Sequence, residues 1–332
     1  MFSAFFASRK WRFWGWPGIF IIFGGLGCQV EIDVALNAGL GELFDLMQKG
    51  LGTPGSITLG DFDQTLIYLT KLILLYVFIA VMLGFYIKHW ILRWREAMND
   101  YYMRYWTVLR TIEGASQRVQ EDTKRFAATI ELIGASVIES LLTLIAFLPI
   151  LWVISKNVKE VPLFGSLDHA LVYIAILYAL IGTIVLAGVG FKLPGLEFEN
   201  QKAEAAYRKE LVYAEDDPTR ASPKVVHSLF QRLKNNYFRL FFHYMYFDVA
   251  KLSYLQFGIV VPFLALGPTV IAGAISLGMF AQTVRAFERI QTSFQVLVKN
   301  WASIIELISV YKRLRAFEAQ IHLAQAAANP IS

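Results

Sequence analysis

Two carboxylates, Glu131 and Glu139, stand inside an almost wholly apolar run from Phe126 to Ser155. The run is long enough to cross a bilayer, which takes about 20 apolar residues. An ionised carboxylate in hydrocarbon is costly, so such a residue faces water, a partner or a proton pathway. A second acidic set follows: Glu197, Glu204 and Glu215, spaced by 7 and 11 residues. At about 100° per residue those offsets return to within about 20° of one helix face. Desolvation raises a carboxylate's pKa, and a like-charged neighbour raises it further. Acids of this kind exchange protons near neutral pH and meet cationic solutes when ionised, which is the chemistry of proton-coupled uptake. The competing reading makes Glu197, Glu204 and Glu215 a solvated face paired with Lys202, Arg208 and Lys209, and gives Glu139 a buried donor.

A third set is mixed in charge: Arg118, Glu121 and Asp122, with Lys124 and Arg125 behind them. It suits a cytoplasmic gate latched by ion pairs, or ordinary helix-surface pairs worth about 0.2–0.5 kcal/mol each. Pro149, Pro262 and Pro268 fall inside or near apolar runs, and Pro194-Gly195 is the best hinge candidate, with a helix end as the alternative.

The elements that position these groups are apolar helices. The chain has 332 residues, 56% of them hydrophobic and 17% charged; soluble domains carry roughly 25% charged residues. Six spans are expected: Trp14 to Leu36, Leu66 to Leu92, Phe126 to Ser155, Ala170 to Phe191, Phe238 to Leu266, and Val270 into a helical tail ending near Ala319. Lys and Arg cluster before the first span, after the second, after the fourth and near the C-terminus, which places both termini and the two long loops in the cytoplasm. The loop 93–125 lacks proline and reads as helix, turning near Gly114-Ala115-Ser116; 196–215 is also helical in composition. The sequence therefore predicts an all-α membrane protein with two cytoplasmic helical hairpins. Residues 1–12 form a cytoplasmic N-terminus, 13–320 one six-helix transmembrane domain and 321–332 a tail.

The net charge of +5 fits basic cytoplasmic loops and is not read as nucleic-acid binding. Cys28 is the one cysteine, so no disulfide forms within the chain. No G-x-x-x-x-G-K-[ST] motif occurs, so no ATP is expected on this chain. The five histidines are dispersed, and no cofactor, metal or enzymatic chemistry is expected.

Long stretches carry a resemblance: LRWREAMNDYYM (92–103), RTIEGASQRVQEDTKRFAATIE (110–131), LLTLIAFLPIL (141–151), KLPGLEFENQKAEAAYRKELVYAEDDPTRA (192–221), NYFRLFFHYMYFDVAK (236–251) and ELISVYKRLRAFE (306–318). The chain resembles the SbmA/BacA family of bacterial inner-membrane peptide transporters. The resemblance implies a homodimer with the transmembrane fold of ABC exporters but no nucleotide-binding domain, importing peptides, antimicrobial ones included, on the proton gradient. It also implies coupling by cavity glutamates, which fall here on Glu131, Glu204 and Glu215, with Tyr213 beside the last; Glu197 rests on periodicity alone. The chain departs from the family in lacking two N-terminal hydrophobic segments, and in carrying Arg285, Glu288 and Arg289 in the sixth span. Two rival readings stand beside this one: the membrane subunit of an ABC transporter whose ATPase is another chain, and a non-transporting relic.

Overall fold

The computed structural model describes residues 1–112, 115–156, 158, 165, 168–217 and 221–328, and apart from an isolated bridge at Gly165 the regular secondary structure there is helical. Gly114, at the expected turn, lies outside the described residues. A short helix α1 (Phe2–Phe6) precedes α2 (Arg12–Gly52) and α3 (Leu59–Arg104). Then come α4 (Trp106–Leu109), α5 (Ala115–Gln117), a π-helical turn (Arg118–Asp122) and α6 (Thr123–Ser155). The chain continues through α7 (Ala170–Gly190), α8 (Leu193–Asp216), α9 (Pro223–Ile271), α10 (Leu277–Phe294), α11 (Val296–Lys299) and α12 (Trp301–Ala328).

Among the described residues, five helical stretches are long and apolar enough to cross a membrane: Arg12–Gly52, Leu59–Arg104, Ala115–Ser155, Ala170–Glu215 and Pro223–Ile271. They cover the first five expected spans. The sixth is not among them. The segment from Val270 onward is divided by a turn in which Gly273 takes φ +65°, a conformation that costs glycine little. Ser276 then starts α10 by accepting the Met279 amide (3.2 Å), an ordinary N-cap. α10 is two-faced: Ala286, Phe287 and Ile290 are buried, while Glu288 is exposed. Its charges, Arg285, Glu288 and Arg289, make it an amphipathic helix and not an apolar span.

The helix ends follow local rules. α3 begins with a capping box: the Asp61 amide donates to Thr58 Oγ1 (3.2 Å), and the Thr58 amide donates to Asp61 Oδ2 (3.0 Å). As the composition of 93–104 predicts, α3 continues past Leu92 to Arg104 without a break. It stops at Tyr105, short of the expected turn. Many of its large apolar side chains, among them Ile73, Leu74, Phe78 and Phe85, are exposed, as lipid-facing residues are.

The chain forms two compact units. One comprises Met1–Ile176 with Pro262–Ser332, the other Leu177–Val261. The first has an aromatic core. Phe5 stacks on Trp94 at 5.8 Å, Trp90 meets Trp94 edge-on at 5.3 Å, and Phe126 meets Trp94 edge-on at 5.7 Å. Gly18 on α2 makes room for this core: a Cβ there would collide with the Trp90 indole, whose Nε1 donates to the Trp14 carbonyl (3.0 Å). In the second unit Tyr178 lies 5.0 Å from the Tyr254 ring and donates its hydroxyl to the Tyr254 carbonyl (2.6 Å).

Candidate functional site

Glu131 lies on α6 in the first unit. It is half-buried in the wall of an almost entirely apolar cavity of about 370 Å³, shared with Phe6, Trp16, Trp90, Trp94 and Ile138. Among the described residues no hydrogen bond or ion pair reaches its carboxylate. Bare of compensation, that carboxylate pays a desolvation cost whenever it is ionised. Glu139, two turns further along α6, is exposed.

The other predicted proton-coupling acids lie in the second unit. Glu197, Glu204, Tyr213 and Glu215 all fall on α8, which is continuous from Leu193 to Asp216. The unbroken helix gives Glu197, Glu204 and Glu215 the common face that their spacing predicts. Glu204 accepts a hydrogen bond from the Tyr237 hydroxyl of α9 (2.8 Å). Glu197 is half-buried and Glu215 exposed. Tyr213 is exposed, with Lys209 Nζ 5.4 Å from its ring centre. Pro194 and Gly195 stand in the first turn of α8, which starts after Lys192. Proline is well tolerated there, where its missing N–H has no helical partner to lose, so Pro194 opens a helix here without kinking one.

Arg118, Glu121 and Asp122 fall in the π-helical turn, a distortion frequent at functional sites. Their partners are both local and distant. Arg125 reaches back to Glu121 (2.5 Å) and across to Glu306 of α12 (2.8 Å). Arg313 of α12 grips the buried Asp122 with two hydrogen bonds, Nε to Oδ2 (2.9 Å) and Nη2 to Oδ1 (2.8 Å). Those bonds hold the Arg313 guanidinium still further above its usual pKa. Arg118 lies over the Phe317 ring at 5.6 Å. The π-helical turn is thus tied to α12 by a planar, two-point ion pair, the strong form of this contact.

One cluster escapes sequence reading. Asp33, in the first apolar run, is nearly buried and accepts from two arginines of α10. Arg285 Nη2 donates to Oδ1 (2.8 Å); Arg289 donates to Oδ1 through Nη2 (2.8 Å) and pairs with Oδ2 through Nε (2.7 Å). The same two helices meet at the other end of α10, where Asp45 accepts the Gly278 amide (2.7 Å) and Gln48 the Leu277 amide (2.8 Å). A Cβ on Gly278 would collide with the Gly41 carbonyl, so the backbones touch there. Residues falling from 45 to 33 on α2 meet residues rising from 278 to 289 on α10, so the two helices run antiparallel. An ionisable residue inside an apolar span was the available signal; its partners, 252 and 256 residues away, were not readable from spacing.

Among the described residues, five long apolar helices with many exposed apolar side chains define a polytopic helical membrane protein. The chain belongs to the SbmA/BacA-like family, whose model matches residues 8–322. That is a family of membrane transporters. The chain is 26% identical over 323 residues to the inner membrane ABC transporter ATP-binding protein YddA of Escherichia coli, covering 90% of this chain and 56% of that protein. It is 22% identical to an uncharacterized ABC transporter ATP-binding protein of Synechocystis, covering 93% of this chain and 47% of that one. It is 25% identical to the chloroplastic ABC transporter D family member 2 of Arabidopsis thaliana, covering 68% of this chain and 33% of that protein. The chain spans about half the length of the first two of these curated relatives.

Proposed function

We propose that this protein imports peptides and similar hydrophilic compounds, antimicrobial peptides among them, across the bacterial inner membrane as a homodimer driven by the proton gradient. Family membership supports the transport class. The observation that carries the proton reading is Glu131: a half-buried carboxylate in an apolar, aromatic wall, with no hydrogen bond or ion pair among the described residues. Such a group is neutral at little cost and ionised at a large one, so taking up or losing a proton changes the free energy of its surroundings. A conformational equilibrium that exposes Glu131 differently in its two states is thereby biased by protonation. Glu204, Glu215, Glu197 and Glu139 are assigned the same proton-exchanging role, each within its own unit, with Tyr213 close to Glu215 in the chain. Arg118, Glu121 and Asp122 act as the cytoplasmic gate, and Pro194-Gly195 act as a hinge between α7 and α8. The test is peptide uptake into proteoliposomes with an imposed inward proton gradient and no ATP. Uptake should collapse with a protonophore and fall at least tenfold in Glu131→Gln and Glu204→Gln. Gradient-independent uptake, or full uptake by both variants, overturns the reading.

A second reading has its own support. The first two relatives are named as ATP-binding proteins, and this chain, without a phosphate-binding loop motif in its 332 residues, spans 56% and 47% of them. It would then be the membrane part of an ABC transporter that works with an ATPase. Uptake that needs ATP and co-purifying ATPase, and that is blocked by vanadate, would favour it.

A further inference from the structure

The cluster around Asp33 borders a cavity lined by none of the acids assigned to proton coupling. Its volume is about 620 Å³, and its walls include Asn37, Phe44, Phe263, Phe280, Arg285 and Glu288. That is within the size range of small-molecule sites, which pair apolar walls with a few fixed polar groups.

The polar groups are unevenly engaged. Arg289 spends two nitrogens on Asp33. Arg285 makes one hydrogen bond among the described residues and stays 27% exposed. A guanidinium carries five N–H donors in a planar fork that matches a carboxylate, so most of the donors on Arg285 remain for a ligand. Asn37 is 2% exposed, lines the same cavity, and its Oδ1 has no hydrogen-bond partner among the described residues. A buried amide oxygen without a donor is costly, and a ligand N–H relieves it. Phe263 and Phe280, edge to face at 4.8 Å, form an apolar wall. Glu288 is exposed at the cavity's edge and supplies a negative charge there.

We infer that this cavity binds the C-terminal residue of a peptide: its carboxylate on Arg285, its own N–H toward Asn37, its side chain on the phenylalanine wall. Glu288 draws a cationic group further up the peptide and repels small dicarboxylates. The inference takes peptides as the solute from the proposed function and adds which end of the peptide is recognised.

The probe is the tripeptide Lys-Ala-Phe, as the free acid and as the C-terminal amide, titrated calorimetrically against the full chain in lipid nanodiscs. The acid should bind at least tenfold tighter than the amide. Arg285→Lys keeps a cation beside Asp33 but removes the fork, and should cut the acid-to-amide ratio below threefold; Arg285→Gln should erase it. Glu288→Gln should weaken both peptides about threefold and leave the ratio unchanged. The Arg285→Lys variant, checked for an unchanged melting temperature, separates lost recognition from lost folding. Equal binding of acid and amide, no binding of either, or a ratio that survives both arginine substitutions overturns the inference. Gradient-driven uptake with equal acid and amide affinity removes this site and leaves the proposed function standing. An acid preference without uptake does the reverse.

Discussion

Asp33 and Glu131 are both acids of apolar helices in one compact unit, and their surroundings are opposite. Asp33 is held by two guanidiniums through three close nitrogen contacts. Glu131 is held by nothing polar among the described residues and sits against aromatic rings. A carboxylate so heavily compensated fixes geometry. One left uncompensated stores its cost as sensitivity to protonation. The first suits a structural anchor and the second a working group, although the two are the same chemical type.

Replacing both acids by apolar residues tests that contrast most severely. Asp33→Ala leaves two guanidiniums without their carboxylate and should cost about 3–5 kcal/mol, the range for breaking a buried pair. It should be read as a lowered melting temperature or loss of monodisperse protein in detergent. Glu131→Leu should shift stability the other way, by about 1–3 kcal/mol, because it removes an unpaired polar group from an apolar wall. The same substitution should lower gradient-driven uptake at least tenfold. Two shifts of the same sign would dissolve the distinction between anchor and working group.

Smaller changes sharpen it. Asp122→Ala removes the two-point grip of Arg313 at a partly solvated site and should cost about 2 kcal/mol, between the values for exposed and buried pairs. Limited proteolysis should then cut more readily around the π-helical turn. Tyr237→Phe removes one hydrogen bond to Glu204 and should cost about 1 kcal/mol. That variant should also slow gradient-driven uptake about threefold, while Tyr178→Phe, elsewhere in the same unit, leaves it unchanged.

What was legible in the sequence was what depends on periodicity and composition. The continuity of α8, and hence the common face of Glu197, Glu204 and Glu215, follows from spacing. The extension of α3 past Leu92 follows from the lack of proline and glycine. The stop at Tyr105 had no such mark. It falls within an aromatic cluster where Tyr101 and Tyr105 lie 5.5 Å apart. Composition ends the fifth span at Leu266 and starts the sixth at Val270, whereas α9 runs on to Ile271 and the break falls at the Gly273 turn and the Ser276 cap. The Asp33 cluster depends on pairing across more than 250 residues, which no local pattern encodes.

The clamp between α2 and α10 has a mechanical consequence. Side chains from α2 occupy the first amides of α10, glycine backbones touch beside them, and an ion pair locks the pair of helices about two turns further on. Sliding one against the other would strip donors and charges of their partners at both ends simultaneously. They therefore move as a single rigid strut, and whatever bending a transport cycle demands must be absorbed by other joints of the chain.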